Sequence, residues 1–125
     1  MRVRGQKLFV RPIEEGDAGA IRAFLARNGA TAEVPQSGLV GKLVGDLVAV
    51  LSFELTERAV RVHDLIVARE LRRKQIGRVM LKELAELAAK MERDWLIVER
   101  GEGREFLERV GFVERDGAMV KKVLR

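Results

Sequence analysis

The chain of 125 residues contains no cysteine and no tyrosine, and only one histidine, one tryptophan and two prolines. Without cysteine there is no disulfide framework and no thiolate zinc site, and one imidazole cannot build a histidine-rich metal centre. No metal is expected, so the chemistry falls to other groups. Aromatic residues make up 5% of the chain, too few for a row of base-stacking platforms, and Trp95 and Phe106 are read as core anchors. Long apolar runs are also missing. No segment reaches the length a bilayer demands, and the opening "MRVRGQKLFV" is too short for a secretory leader. The expectation is a cytoplasmic protein with no membrane partner. Repeats, low-complexity tracts and linker-like stretches are absent, which makes residues 1–125 one domain.

What is abundant is apolar mass and positive charge. A hydrophobic content of 47% suffices for a core without covalent or metal support. The formal charge of +5 and the pI of 10.1 favour an anionic partner: a phosphorylated small molecule, an acidic protein or a nucleic acid. The basic residues gather at one turn instead of forming a stripe interleaved with aromatics. That pattern favours a compact anion over nucleic acid.

Patterning along the chain gives the elements. "LFVRPI" is a first strand, stopped near Pro12, and "EEGDAGAIRAFLARNG" is a helix with Asp17 as N-cap and Ala20, Ile21, Phe24 and Leu25 on its apolar face. Residues 28–38, "NGATAEVPQSG", are irregular. "LVGKLVGDLVAVLSFEL" is a hairpin turned at Gly45-Asp46, and "AVRVHDLIVA" is a strand buried along most of its length. From Ile76 to Met91 the residues Ile76, Val79, Met80, Leu84, Leu87, Ala88 and Met91 share one face of the longest helix. "WLIVER" is a strand, "EGREFLERVG" a short helix ended by Gly111, and "FVERDGAMVKKVL" two strands around an Asp116-Gly117 turn. This order predicts an α/β (α+β) fold with a mixed, largely antiparallel sheet. At its centre is one parallel strand–helix–strand crossover from Val60 to Val98.

The segment "LRRKQIGR", residues 71–78, falls at the turn from a buried strand into the long helix. A helix start leaves backbone N–H groups unpaired and carries the positive end of the macrodipole. Arg69, Arg72, Arg73, Lys74 and Arg78 crowd the same point, and Gly77 removes a side chain where a ligand would approach the backbone. Cations at a helix start oppose the dipole unless an anion is present, which turns a solvated basic run into a candidate pyrophosphate cradle. "GEG" at residues 101–103 lacks the third glycine and the crossover of a dinucleotide fingerprint.

The stretch "LIVARELRRKQIGRVML" resembles the coenzyme-binding motif of the GNAT superfamily of acyl-CoA N-acyltransferases, in which a strand leads through Arg/Gln-x-x-Gly-x-Gly/Ala into a helix. Arg72 matches the leading basic residue, Gln75 stands where the first glycine is expected, and Gly77 matches the second. "VRPIEEGDAGAIRAFL" is similar to the family's first strand and helix, and "REFLERVGF" to its closing helix. The resemblance spans nearly the whole chain and implies a fold that binds acetyl-CoA or another acyl-CoA. Backbone N–H groups of Arg73, Lys74, Gln75, Ile76, Gly77 and Arg78 would hold the pyrophosphate. Main-chain groups at Ile66, Val67 and Ala68 would pair with the pantetheine arm.

The implied activity is transfer of an acetyl group to a primary amine of a small molecule or a protein. The rival readings are an acyl-CoA-binding module without turnover and a basic nucleic-acid-associated domain. Three positions depart from the family pattern. Gln75 adds bulk at the turn, so the loop must either open slightly or turn that side chain outward; Leu107 occupies the place of the tyrosine that often serves as general acid, and Arg100 replaces an upstream asparagine. For the base, the candidate is His63, read by alternation as sharing a face with Arg61, Leu65 and Val67, with Asp64 opposite. Imidazole titrates near neutral pH and suits an amine proton. Glu54 and Glu99 are the carboxylate alternatives. The short stretch from Asn28 to Gly38 replaces the family's second helix and implies an open acceptor cleft. A homodimer is expected to use the strand from Ala118 to Leu124 as its edge.

Overall fold

The structure, a computed structural model, describes residues 2–3, 6–72, 75–99 and 103–124. Along the chain run β1 (Arg2–Val3), β2 (Gln6–Pro12), α1 (Ala18–Arg27), β3 (Gly38–Leu43), β4 (Asp46–Leu55), β5 (Ala59–Val67), α2 (Ile76–Lys90), β6 (Trp95–Val98), α3 (Arg104–Arg109), β7 (Val113–Arg115) and β8 (Ala118–Lys122). The eight strands form one sheet in the order β1-β2-β3-β4-β5-β6-β8-β7. Neighbours are antiparallel except β5 and β6, which run parallel from Ala59↔Trp95 to Val62↔Val98. The mixed, largely antiparallel sheet around one parallel unit is the architecture the element order predicts.

Burial explains why these segments settle as they do. Val48 to Ser52 of β4 are buried without interruption, so both faces of the central strand are covered. In α2, Ile76, Met80, Leu84 and Ala88 recur at helical spacing and are at most 1% exposed. A side chain on Gly41 would meet the Met80 sulfur at 3.0 Å and Ala49 at 3.4 Å. The glycine therefore lets α2 lie close against β3 and β4. Helix α1 buries Ile21, Phe24 and Leu25, each worth about 1.5–3 kcal/mol when fully removed from water. It ends as its Asn-Gly sequence suggests. Gly29 takes a φ of 68°, its N–H donates to the Ala26 carbonyl (3.2 Å), and the Ala30 N–H donates to the Leu25 carbonyl (2.9 Å).

Four details differ from the sequence reading. The β3–β4 turn is centred on Val44 and Gly45, whose φ values are 50° and 82°, and Asp46 already belongs to β4. Such a pair of left-handed residues matches the twist of the strands, and the ladder imposes it on Val44 although valine disfavours it. Asp17 stands at the N-cap position but makes no cap bond to α1. Its carboxylate instead accepts two hydrogen bonds from the Arg11 guanidinium (2.7 and 2.8 Å) and one from the Glu14 N–H (2.7 Å). The guanidinium first, then that backbone donor, hold the carboxyl well below the usual carboxylate range. β8 is not an edge, because it lies between β6 and β7, and β7 closes that side of the sheet. Finally, "WLIVER" is a strand only as far as Val98, and Arg100 lies outside the described residues. Among those described, no helix is long and apolar enough to cross a membrane.

Candidate active site

β5 has a half-open edge. Its pairing with β6 stops at Val62↔Val98, whereas its pairing with β4 continues to Ala49↔Val67. The Ala68 N–H donates to the Val48 carbonyl (2.8 Å), so Ala68 turns its amide toward β4. Successive backbone groups of a strand point to opposite edges. Ile66 therefore also faces β4, and the N–H and C=O groups of Leu65 and Val67 face the gap. Of Ile66, Val67 and Ala68, expected to offer main-chain groups, Val67 faces the gap together with Leu65, whereas Ile66 faces β4 and Ala68 is 3% exposed with its amide engaged.

Beyond β5 a single tight turn, Arg69–Leu71, leads to α2, which begins at Ile76 with Gln75 as N-cap. This is the handover the sequence places near Gln75. Its φ of 64° is left-handed, a conformation that costs a residue with a side chain about 1–2 kcal/mol. That conformation accounts for the glycine in the motif. Gln75 is exposed. Among the described residues, the first bond into the helix is from the Val79 N–H to the Gln75 carbonyl (3.2 Å). The amides before Val79 belong to the first turn, whose donors a helix does not pair itself. Arg72 and Arg78 are exposed beside them, and the Arg72 Nε donates to the Val67 carbonyl (3.3 Å). Arg73 and Lys74 lie outside the described residues. Arg69 turns elsewhere: its guanidinium packs on Gly29.

These parts line one groove of about 1160 Å³. One wall is Asn28 to Ala30 at the end of α1, the floor is Leu65 to Val67, and the far wall is Gln75 to Arg78 with Phe106 and Arg109 of α3. Ile76 is 1% exposed and packs into the core. Gly77 does more than clear a path for a ligand, since a side chain there would stand 3.3 Å from the Phe106 ring and 3.5 Å from Leu65. Phe106, read from sequence as a core anchor, is half-buried and lines the groove. Nothing in the local pattern marked Asn28 as part of it.

His63 sits in a β-bulge. Ser52 pairs with Asp64 and Phe53 with Val62, which leaves His63 as the extra residue of β5. Alternation fails across a bulge. Leu65 and Val67 therefore share a face with Val62, while Arg61 and Asp64 share the opposite one, and the grouping of His63 with Arg61, Leu65 and Val67 does not hold. The imidazole is exposed. Asp64 is anchored by its N–H to the Ser52 hydroxyl (3.1 Å). Of the carboxylate alternatives, Glu54 is exposed opposite Arg61, and Glu99 makes a 3.1 Å ion pair with Arg61. Leu107 is 5% exposed in the core and has no proton to give. Among the described residues no cluster of side chains could hold a metal ion.

A free strand edge that runs into a cation-flanked helix start suits an extended ligand with an anionic end. The model of the acetyltransferase (GNAT) domain matches residues 22–114. The chain belongs to the GNAT acetyltransferase family. Solved structures agree on the fold. A GNAT family N-acetyltransferase from Escherichia coli in complex with CoA superposes with a TM-score of 0.78 at 17% identity, over 95% of this chain and 83% of that one. The ribosomal-protein-S18-alanine N-acetyltransferase of Escherichia coli gives 0.77 at 15% identity, over 95% and 96%. N-acetylglutamate synthase from Neisseria gonorrhoeae, complexed with CoA and L-arginine, gives 0.80 at 12% identity, but this chain spans only 34% of it. No curated protein sequence matches the chain.

Proposed function

We propose that the chain is an N-acetyltransferase that moves an acetyl group from acetyl-CoA, or another acyl group from its acyl-CoA, to a primary amine of a small molecule or a protein. The observation that carries this reading is the continuity of the groove. The backbone of Leu65 and Val67, which β6 does not reach, leads directly to the first turn of α2 and to Arg72 and Arg78. An amide-bearing arm would pair with the strand, and a diphosphate would meet bare N–H groups and cations.

When bound, the coenzyme supplies the thioester. The amine nitrogen attacks its carbonyl carbon, the C–N bond forms, the C–S bond breaks, and sulfur leaves as thiolate. His63 would take the amine proton, and strand N–H groups at the open edge would polarise the carbonyl oxygen. With Leu107 at the position of the usual acid, the thiolate must leave unassisted. A reference thiol pKa of about 8.5 makes that feasible. The acceptor would enter an open cleft, in keeping with residues 30–35, which form neither helix nor strand. A crystal structure with a deep, closed acceptor pocket within one chain would refute that.

Leu107 also favours a second reading, a module that binds acyl-CoA without turnover. Calorimetric titration with acetyl-CoA and CoA tests what the two share. A micromolar constant, about −8 kcal/mol, supports both, and no heat at millimolar ligand defeats both. Turnover then separates them. His63→Ala should slow acetyl transfer about a hundredfold, the lower end for a general base, with coenzyme affinity nearly unchanged. An unaltered rate would acquit the histidine.

A further inference from the structure

Asn28 joins two elements that the sequence keeps far apart. It is 7% exposed and lines the groove. Its Nδ2 donates to the Phe24 carbonyl (2.9 Å) at the end of α1, and its Oδ1 accepts the Arg69 N–H (3.0 Å), 41 residues away. That N–H opens the tight turn Arg69–Leu71, so it has no acceptor within the turn. One amide side chain thus caps the last turn of a helix and the first donor of the loop that follows β5. The contact is reinforced from the other side, because the Arg69 guanidinium packs on Gly29, where no side chain intervenes. The base of this clasp is rigid, since the helix end is locked by the Gly29 and Ala30 hydrogen bonds. The loop it holds carries Arg72 and hands the chain to Gln75 and the first turn of α2.

We propose that Asn28 is a positioning residue for the anion-binding turn. Through the Arg69 amide it sets where the loop leaves β5, and so where the bare donors of α2 stand relative to the open strand edge. This rests on the coenzyme reading above. If it holds, loss of Asn28 weakens the grip on the phosphates and spares the part of the ligand that pairs with Leu65 and Val67.

The test compares CoA with pantetheine, which shares the amide-bearing arm and lacks the phosphates, on wild type, Asn28→Ala and Asn28→Asp, below the melting temperature of each. Exchange of the Arg69 amide proton is followed by NMR. In Asn28→Ala the Arg69 amide should exchange faster and CoA should bind about tenfold more weakly, with pantetheine affinity unchanged. Asn28→Asp keeps the acceptor, so the amide should stay protected. In about 1 M salt, where charge is screened within about 3 Å, its CoA affinity should return to that of wild type at the same salt. A folded Asn28→Ala that binds CoA as wild type does, or loses CoA and pantetheine alike, overturns the proposal. Should the alanine variant not fold, Asn28→Asp still decides it: weak CoA binding in high salt with a protected Arg69 amide also overturns it. Failure of the wild type to bind either ligand would sink the coenzyme reading instead, a separate result.

Discussion

Replacing Gln75 by glycine should stabilise the protein, which is unusual for a substitution at a helix start. Gln75 holds a φ of 64° and a ψ of 13°, where a side-chain-bearing residue is strained by about 1–2 kcal/mol. Glycine removes that strain. It also gives the unfolded chain more freedom, an opposing term of about 0.4–1 kcal/mol. No cap hydrogen bond is lost, because the Gln75 side chain makes none to α2. The net gain is about 0.5–1 kcal/mol, or roughly 2–5 °C in melting temperature for a domain of this size. Differential scanning calorimetry of wild type, Gln75→Gly and Gln75→Ala provides the check. Alanine cannot relieve the left-handed strain, so it should melt no higher than wild type. If Gln75→Gly melts lower than Gln75→Ala, the strain argument is wrong, and the motif glycine would need a different explanation.

Asp17→Asn should cost about 2 kcal/mol at neutral pH, since hydrogen bonds to a charged group carry about 1.5–3 kcal/mol. The Asp17 carboxyl is depressed in the folded state, so its contribution is present above the unfolded value of about 3.9 and declines as pH falls below it toward the folded value. The gap between the two proteins in denaturant titrations should therefore narrow below about pH 4, and a gap that stays constant to pH 2 would refute the assignment. Gly38→Ala would drive a methyl group into the Leu51 carbonyl oxygen and within 2.9 Å of Ile13. A loss of about 1–3 kcal/mol is expected, and wild-type stability would mean that β3 and β4 are not this close. Ser52→Ala leaves the Asp64 N–H without its hydroxyl acceptor. It should lower stability by about 1–3 kcal/mol, whereas Ser52→Thr should retain most of it. Equal melting of both variants would show that the hydroxyl does not hold the bulge.

The elements were legible because their apolar residues repeat with the period of the structure they form. Met80, Leu84 and Ala88 in α2 and the β-rich runs of β4 and β5 needed no tertiary information. The handover at Gln75 was legible for a related reason, since a basic, glycine-bearing segment between a strand and a helix has few other places to go. Register was not legible. The Val44-Gly45 turn hid behind a more ordinary Gly-Asp pair, because valine tolerates a positive φ only when the hairpin ladder imposes it. Asp17 looked like an N-cap until Arg11 arrived from β2. Asn28 carried no local signal, because its partner is 41 residues away.

The misreading of the His63 face has one cause. Period-two alternation assumes an unbroken ladder, and the extra residue at His63 breaks it between Val62 and Asp64. A bulge also adds local twist and bends its strand. β5 leaves β6 directly at that point, since their last pair is Val62↔Val98. The irregularity that invalidated the face assignment of His63 is therefore placed where the open edge begins. The inserted residue coincides with the point where the two parallel strands part, and beyond it Leu65 and Val67 have no strand partner on the β6 side. The departure from pattern in β5 is thus a better pointer to the site than the pattern itself.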